Sequence, residues 1–524
     1  MQSLPKSLFV FVFCVPLALV LGIMLATPLD RNTLIILGCA FLLLLTPVLL
    51  TSHHALLIAS WNAFMIVFFL PGQPYLWMIM AVVSIAFTVL TRTLNRGKIA
   101  LLNVRGITIP LLLLVLVTYI MCELTGGAGA QALGSDVFGG KRYYYLWGAI
   151  LGYFALSNIP VVKEKRHLLA AIFFLSGVTA GFSNLAFVLG KNFYFLFTLF
   201  PVEWAMIQAA AEYQLGAYTR IGGLGPVGLA LVYFFFVRYG IRGTFNLRYP
   251  WRLPVFLCAM IVGMFSGYRT TFLLVVITFA MQFLLEGLPK TKYLGIFGGA
   301  LVLIAVAVMP FANRFPLPVQ RCLSLLPLDL DRTALEEARG STLWRLEMWR
   351  QVIPDIPKYF WVGKGYAIDP KDLYFAQQNI SLRATAPYEE ALVAGDYHNG
   401  PLTLIIPFGI WGVVVFGWFC AASIRLLWRN YQFGDPEIQN INTCLFAAFL
   451  AKLIYFIFIF GAFYLDLAAF TGLVALSVSM NHGMARRPAP APLPVRARPE
   501  PEPELALPER FDPEPVFTRR FQGA

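Results

Sequence analysis

Long apolar runs alternate with short polar connections along most of the 524-residue chain; fourteen runs are distinct, the first at 8–27 and the last at 464–480. About 20 consecutive apolar residues are what an α-helix needs to cross the hydrocarbon core of a bilayer. A single apolar run in lipid favours the helix, which satisfies its backbone hydrogen bonds internally. The pattern predicts an all-α polytopic integral membrane protein with about 12 to 14 transmembrane helices.

Two stretches depart from this rhythm. Between the runs at 293–311 and 400–424 lies a polar segment, 312–398, large enough to fold on its own. Inside it, Arg339 to Ile353 reads as a short helix with Trp344, Met348 and Trp349 on neighbouring turns, ended by Pro354 and Pro357. Such aromatics suit a helix lying over the bundle at a membrane edge. From Asn481 onward, ten prolines in 44 residues are mixed with Arg and Glu, which predicts a disordered tail. The chain thus divides into an N-terminal transmembrane bundle (1–311), a loop domain with short helices (312–398), C-terminal transmembrane helices (399–480) and a Pro-rich tail (481–524). The first run follows Lys6 and lacks a signal-peptidase site, so it reads as a retained helix.

Composition agrees with this division and excludes a soluble globule. The chain is 59% hydrophobic and 13% charged, against roughly 45–50% and 25% for soluble domains, and its mean hydropathy is +0.71. The net charge of +13 raises nucleic-acid binding as a question. The basic residues answer it, because they sit in short loops between apolar runs and form no stripe. From the fourth run onward, every even-numbered run exits into a basic loop, as at Arg92, Arg96 and Lys98 or at Lys163, Lys165 and Arg166. The positive-inside bias then sets those loops and both termini in the cytoplasm, and 312–398 on the opposite face. The seven cysteines form no CxxC pair and no disulfide framework.

This topology filters the candidate chemistry. Of five histidines, His53, His54, His167 and His482 fall on the cytoplasmic side, and His398 faces outward. Histidine titrates near neutral pH and is the commonest general base. Arg220 and Arg269 lie on the outer side, where the charge bias disfavours them. Arg220 precedes Gly222, Gly223, Gly225 and Pro226, and Arg269 closes the hairpin Ser266, Gly267, Tyr268. An arginine fork matches phosphate oxygens, and glycines let a diphosphate approach the backbone at a helix start. Taken singly, a solvated loop histidine and arginines that snorkel to headgroups explain the same residues.

The spacing around His398 adds to this. His398 and Asn399 are followed by nine residues, Gly409, two more residues and Gly412. This resembles the signature of the O-antigen ligase and O-antigen polymerase superfamily of bacterial membrane glycosyltransferases. The wider pattern is similar too: Arg220, Gly223 and Pro226; Ser266 and Arg269; Trp344 in a loop helix; and the Gly363, Gly365 turn. Val227 stands where the family usually has Asn, and Gly267 and Tyr268 stretch its compact Ser-Arg pair.

The resemblance, over roughly residues 200 to 430, implies a GT-C-like bundle in the bacterial inner membrane. Its activity would be metal-independent transfer of a glycan from a polyprenyl (undecaprenyl) diphosphate carrier to an acceptor sugar hydroxyl at the periplasmic face. His398 would be the base, and Arg220 and Arg269 would meet the charge growing on the diphosphate. Asn399 or Asp396 would orient the histidine, with Gly223, Ser266, Trp344 and Arg345 lining the substrate site and Glu203 and Glu212 as further candidates, with Arg345, for acceptor or phosphate contacts. No cofactor is called for. Partners would be the lipid-linked glycan, lipid A core or a growing glycan as acceptor, and membrane lipids, without nucleic acid. Asp30 is an isolated acidic residue in the first outer loop, and no Asp-x-Asp cluster accompanies it. Two alternatives stay open: a polymerase of lipid-linked repeat units with the same chemistry, and a secondary transporter or lipid flippase. For the latter, Lys452 is the main mid-helix charge, with Asp466 as its nearest partner in sequence.

Overall fold

The structure is a computed structural model that describes residues 14–16, 18, 19, 22, 31–94, 102, 104–128, 139–201, 221–369, 371, 372, 374, 375 and 389–487. The first part contains α1 (Arg31–Ser60), α2 (Leu76–Leu94), α3 (Arg105–Leu124), α4 (Gly140–Ser157), α5 (Arg166–Leu175) and α6 (Phe182–Leu189). It continues with α7 (Leu224–Thr244), α8 (Arg252–Met264), α9 (Arg269–Leu285) and α10 (Tyr293–Val308). The polar segment forms α11 (Leu317–Leu323), α12 (Arg332–Val352), α13 (Ile356–Tyr359) and α14 (Glu389–Ala394). Three long helices follow: α15 (Gly400–Phe433), α16 (Gln439–Phe458) and α17 (Phe463–Met480).

Among the described residues, eight helical spans are long and apolar enough to cross a membrane, with three shorter apolar helices beside them. The one β pairing there is an isolated bridge between Ile66 and Tyr75. The protein is an all-α polytopic membrane protein. α4 and α17 pack along each other in its interior. α17 buries most of its length, whereas α10 buries none of its residues. A helix apolar on nearly all sides that is held to its neighbours by one stripe, here Phe297 against Phe245 and Phe279, turns the rest of its surface to lipid.

Three elements differ from the hydropathy reading. The runs at 33–50 and 55–70 are joined by α1, which continues through the polar residues between them. His53 and His54 are thus helix residues packed inside the bundle, not a cytoplasmic turn. His53 Nδ1 is 2.9 Å from the Ser84 hydroxyl of α2, and His54 Nε2 is 2.8 Å from the Leu156 carbonyl of α4. Polar groups at this depth persist because they have partners. The run at 168–190 is broken by a 3₁₀ segment, Ser176–Gly181, where Gly177 and Gly181 come against Ala230 and Val227 of α7. α12 starts seven residues ahead of the expected helix because Asp331 caps it, its carboxylate accepting from Thr333 N at 2.8 Å.

The segment after α17 begins ordered. Asn481 Nδ2 donates to Asn442 Oδ1 at 2.7 Å, and Ala485 N donates to Asn430 Oδ1 at 2.8 Å. The Pro-rich stretch expected to be disordered, from 488 on, lies outside the described residues.

Candidate functional site

α15 carries the His398 motif, and each motif position has a physical task. Asn399 caps the helix, its Oδ1 accepting from Leu402 N at 3.0 Å. Eleven residues after His398, Gly409 breaks α15 with φ +62°. The break frees backbone groups that a neighbouring loop satisfies: Lys364 N donates to Ile406 O (2.8 Å), Gly365 N to Pro407 O (3.0 Å) and Ile410 N to Phe360 O (2.7 Å). Irregular backbone in a membrane bundle is tolerated where protein supplies such partners. Gly363 permits this docking, since a Cβ there would lie 2.0 Å from Pro407 O. Gly412 has the same reason, with Phe408 2.5 Å from where its Cβ would be. At Gly409 a Cβ would meet Phe360 O at 2.7 Å in a backbone region that side chains avoid. Gly409→Ala is therefore expected to cost about 1–3 kcal/mol of stability, read as a lowered melting temperature of the detergent-purified protein. An unchanged melting curve would remove this account of the motif glycine.

The loop domain lies across the start of α15. Met348 and Val352 of α12 are buried against Tyr397, Leu402 and Ile406. The Trp349 indole donates to Tyr397 O at 2.8 Å. These contacts hold His398, whose own φ of +49° is unusual for a residue with a side chain. Its imidazole sits between two rings, Trp344 with centroids 5.2 Å apart and Phe460 at 5.1 Å. Among the described residues, His398 Nδ1 and Asp396 Oδ1 are buried without a hydrogen-bond partner.

Burial draws the His398 pKa below the usual 6.5; Asp396 pushes it up and Arg345 pushes it down. Burial comes first among these causes, so the imidazole is neutral at neutral pH, the form a general base needs. The acidic limb of kcat/KM is thus expected below pH 6.5. Asp396→Asn removes the group that raises the pKa and should move that limb to still lower pH, read from a pH–rate series. A limb that stays in place would exclude Asp396 as the electrostatic partner of His398.

Arg269 begins α9. Ser266 is fully buried and shapes the preceding turn, its hydroxyl donating to Gly263 O (2.7 Å) and accepting from Tyr268 N (3.3 Å). Arg269 reaches the loop domain, with Nη2 donating to Ala338 O (2.8 Å) and Thr342 Oγ1 (3.2 Å) of α12. Arg345, also on α12, lies over the Phe460 ring at 5.7 Å. Burial and then the charge of Arg269 lower the Arg345 pKa. The two guanidinium groups are therefore close enough to repel, yet among the described residues neither has a carboxylate partner. Like charges gathered without a counter-ion form a place for an anion.

Gly223, at the start of α7, donates its N–H to Asn184 Oδ1 at 3.1 Å, and a Cβ there would collide with that atom. It is a packing position in this structure. Arg220, Glu203, Glu212 and Asp30 lie outside the described residues. Close to the Arg269 turn is an apolar cavity of about 420 Å³, lined by Trp61, Trp77, Tyr233 and Leu274, with Pro226, Thr271 and Lys452 among its walls. Lys452 pairs with Asp466 at 2.7 Å, the partner expected from sequence. Among the described residues, no group of three or more His, Cys, Asp or Glu side chains gathers as a metal site.

Residues 254–417 match the model of a family described as O-antigen ligase. That stretch of the chain is similar to the O-antigen ligase family. The matched part runs from α8 into α15 and so takes in the Arg269 turn, the whole loop domain and the His398 motif. No curated protein matches the chain. The family implies glycosyl transfer of the O-antigen ligase or polymerase type, and thus a membrane enzyme with lipid-linked glycan and lipid A core as its general partners. The sequence does not mark Phe460 as a neighbour of His398, because an aromatic at a helix end in an apolar run has no signal of its own.

Proposed function

We propose that the protein transfers a glycan from a polyprenyl diphosphate carrier to a sugar hydroxyl of lipid A core, at the non-cytoplasmic face, without a metal ion. The observation that carries this is the His398 imidazole packed against the Phe460 ring that Arg345 also lies over, with Arg269 bound to Ala338 and Thr342 of the same helix as Arg345. In the reaction, the acceptor oxygen attacks the anomeric carbon of the donor sugar as the bond from that carbon to the diphosphate oxygen breaks. His398 takes the hydroxyl proton and later releases it to water. The diphosphate leaves with its charge met by Arg269 and Arg345, and by Arg220, which precedes α7 in the sequence. The apolar cavity beside Thr271 suits part of the carrier's hydrocarbon tail.

A deletion strain is expected to lose all core-attached polymer on its surface glycan. Loss of long chains with single repeats retained would assign a polymerase instead. Purified protein should keep its activity in chelator; activity lost there and restored by Mn²⁺ or Mg²⁺ would contradict the metal-free reading.

A further inference from the structure

The geometry points to Arg142 as a positioning residue that holds His398 in place, an inference that rests on the transfer reaction proposed above. Arg142 lies in the first turn of α4, 252 positions before Ala394. Its Nη1 donates to the carbonyl of Ala394, the last residue of α14. Its guanidinium also lies over the rings of Tyr464 (4.7 Å) and Tyr366 (5.5 Å). Tyr464 lies in the first turn of α17, and Tyr366 follows Gly365, which docks on the α15 break. Arg142 is therefore the point where α4, α17, the Gly363–Gly365 turn and the end of α14 meet.

The segment it holds needs tethers. Between Ala394 and Asn399, Gly395 has φ +69° and His398 has φ +49°. A non-glycine residue in that region persists only when its surroundings fix it. Beside the backbone bonds from Gly395 N to Leu392 O and from Asp396 N to Ala391 O, the side-chain tethers are Arg142 at Ala394, the Trp349 indole at Tyr397 and the Asn399 cap. Of these, Arg142 comes from the N-terminal helices, so it ties the histidine segment to the bundle and not to the loop domain. An arginine does this because its flat fork stacks on two rings while donating from its edge; an ammonium group lacks that geometry. Lys141, next to it, lies instead over the Tyr145 ring at 5.7 Å.

The test uses the full-length protein in nanodiscs, with undecaprenyl diphosphate-linked glycan as donor and lipid A core as acceptor. Arg142→Ala is expected to lower kcat by roughly 10- to 100-fold, with donor KM within about two-fold of the parent, the signature of a displaced reacting group. Arg142→Lys should recover part of the loss, and Lys141→Ala should leave kcat unchanged. Amide hydrogen exchange over 394–399 should quicken in Arg142→Ala while exchange over 340–350 does not. If the alanine variant fails to fold, Arg142→Lys and Arg142→Gln are read in the same way. A folded variant with unchanged kcat and exchange overturns the inference, as does a raised donor KM at unchanged kcat, which would make Arg142 a donor-binding residue. If the parent protein shows no transfer, the proposed function fails, and the exchange experiment still decides whether Arg142 tethers the segment.

Discussion

His398→Ala is expected to reduce transfer by about 10²- to 10⁴-fold, the range a positioned general base contributes, without loss of the protein from the membrane. A sugar hydroxyl is a poor nucleophile until a base begins to take its proton, and the imidazole between Trp344 and Phe460 is the base we propose. The alanine variant alone would be ambiguous, because His398 sits at φ +49°, where alanine is disfavoured. His398→Asn removes that ambiguity. Asparagine tolerates the left-handed region and keeps a polar side chain but has no basic nitrogen. Both variants should be inactive, and the asparagine variant should melt close to the parent. Full activity in a folded His398→Asn protein would remove the assigned base.

Arg269→Lys is expected to lower kcat by about 10²- to 10³-fold, comparable to the removal of one donor from a preorganised anion site. The substitution keeps the charge and discards the fork. In the structure, the hydrogen bonds from Arg269 to described residues both leave from Nη2, toward Ala338 and Thr342. A lysine cannot hold α12 from one nitrogen and meet a phosphate oxygen with another. Thr342→Val separates the two roles, because it removes one contact to the loop helix and leaves the guanidinium. It should cost little activity if the arginine serves the diphosphate; a loss equal to that of Arg269→Lys would reduce Arg269 to a brace between α9 and α12.

Much of this was legible in the order of residues. Hydropathy marks the helices from 75 onward, because lipid imposes one solution on a long apolar run. The motif around His398 was legible as spacing, and the structure supplies the reason: Asn399 starts a half-helix and Gly409 ends it against the 360–365 loop. What sequence did not show were features fixed by distant partners. The polar residues at the middle of α1 read as a turn, since Ser84 and the Leu156 carbonyl that satisfy His53 and His54 lie far along the chain. Ser266 read as a substrate contact, but its hydroxyl is taken up by its own turn. The break in α7 at Gly240 has no local sign either. It depends on the Glu286 carboxylate, which accepts from Ile241 N (2.6 Å) and Arg242 N (3.1 Å) and caps the helix anew. Arg142 is the instructive case. The charge bias that singles out Arg220 and Arg269 applies equally to it, but no motif surrounds it in the sequence.

Reconstitution of the purified protein with undecaprenyl diphosphate-linked glycan and lipid A core, in chelator, tests the central claim most directly. The expected result is a core-attached glycan formed together with free undecaprenyl diphosphate, in amounts that match, and neither product with His398→Asn. Product formed equally by the parent and His398→Asn proteins, or none formed by the parent until a divalent metal is added, would contradict it.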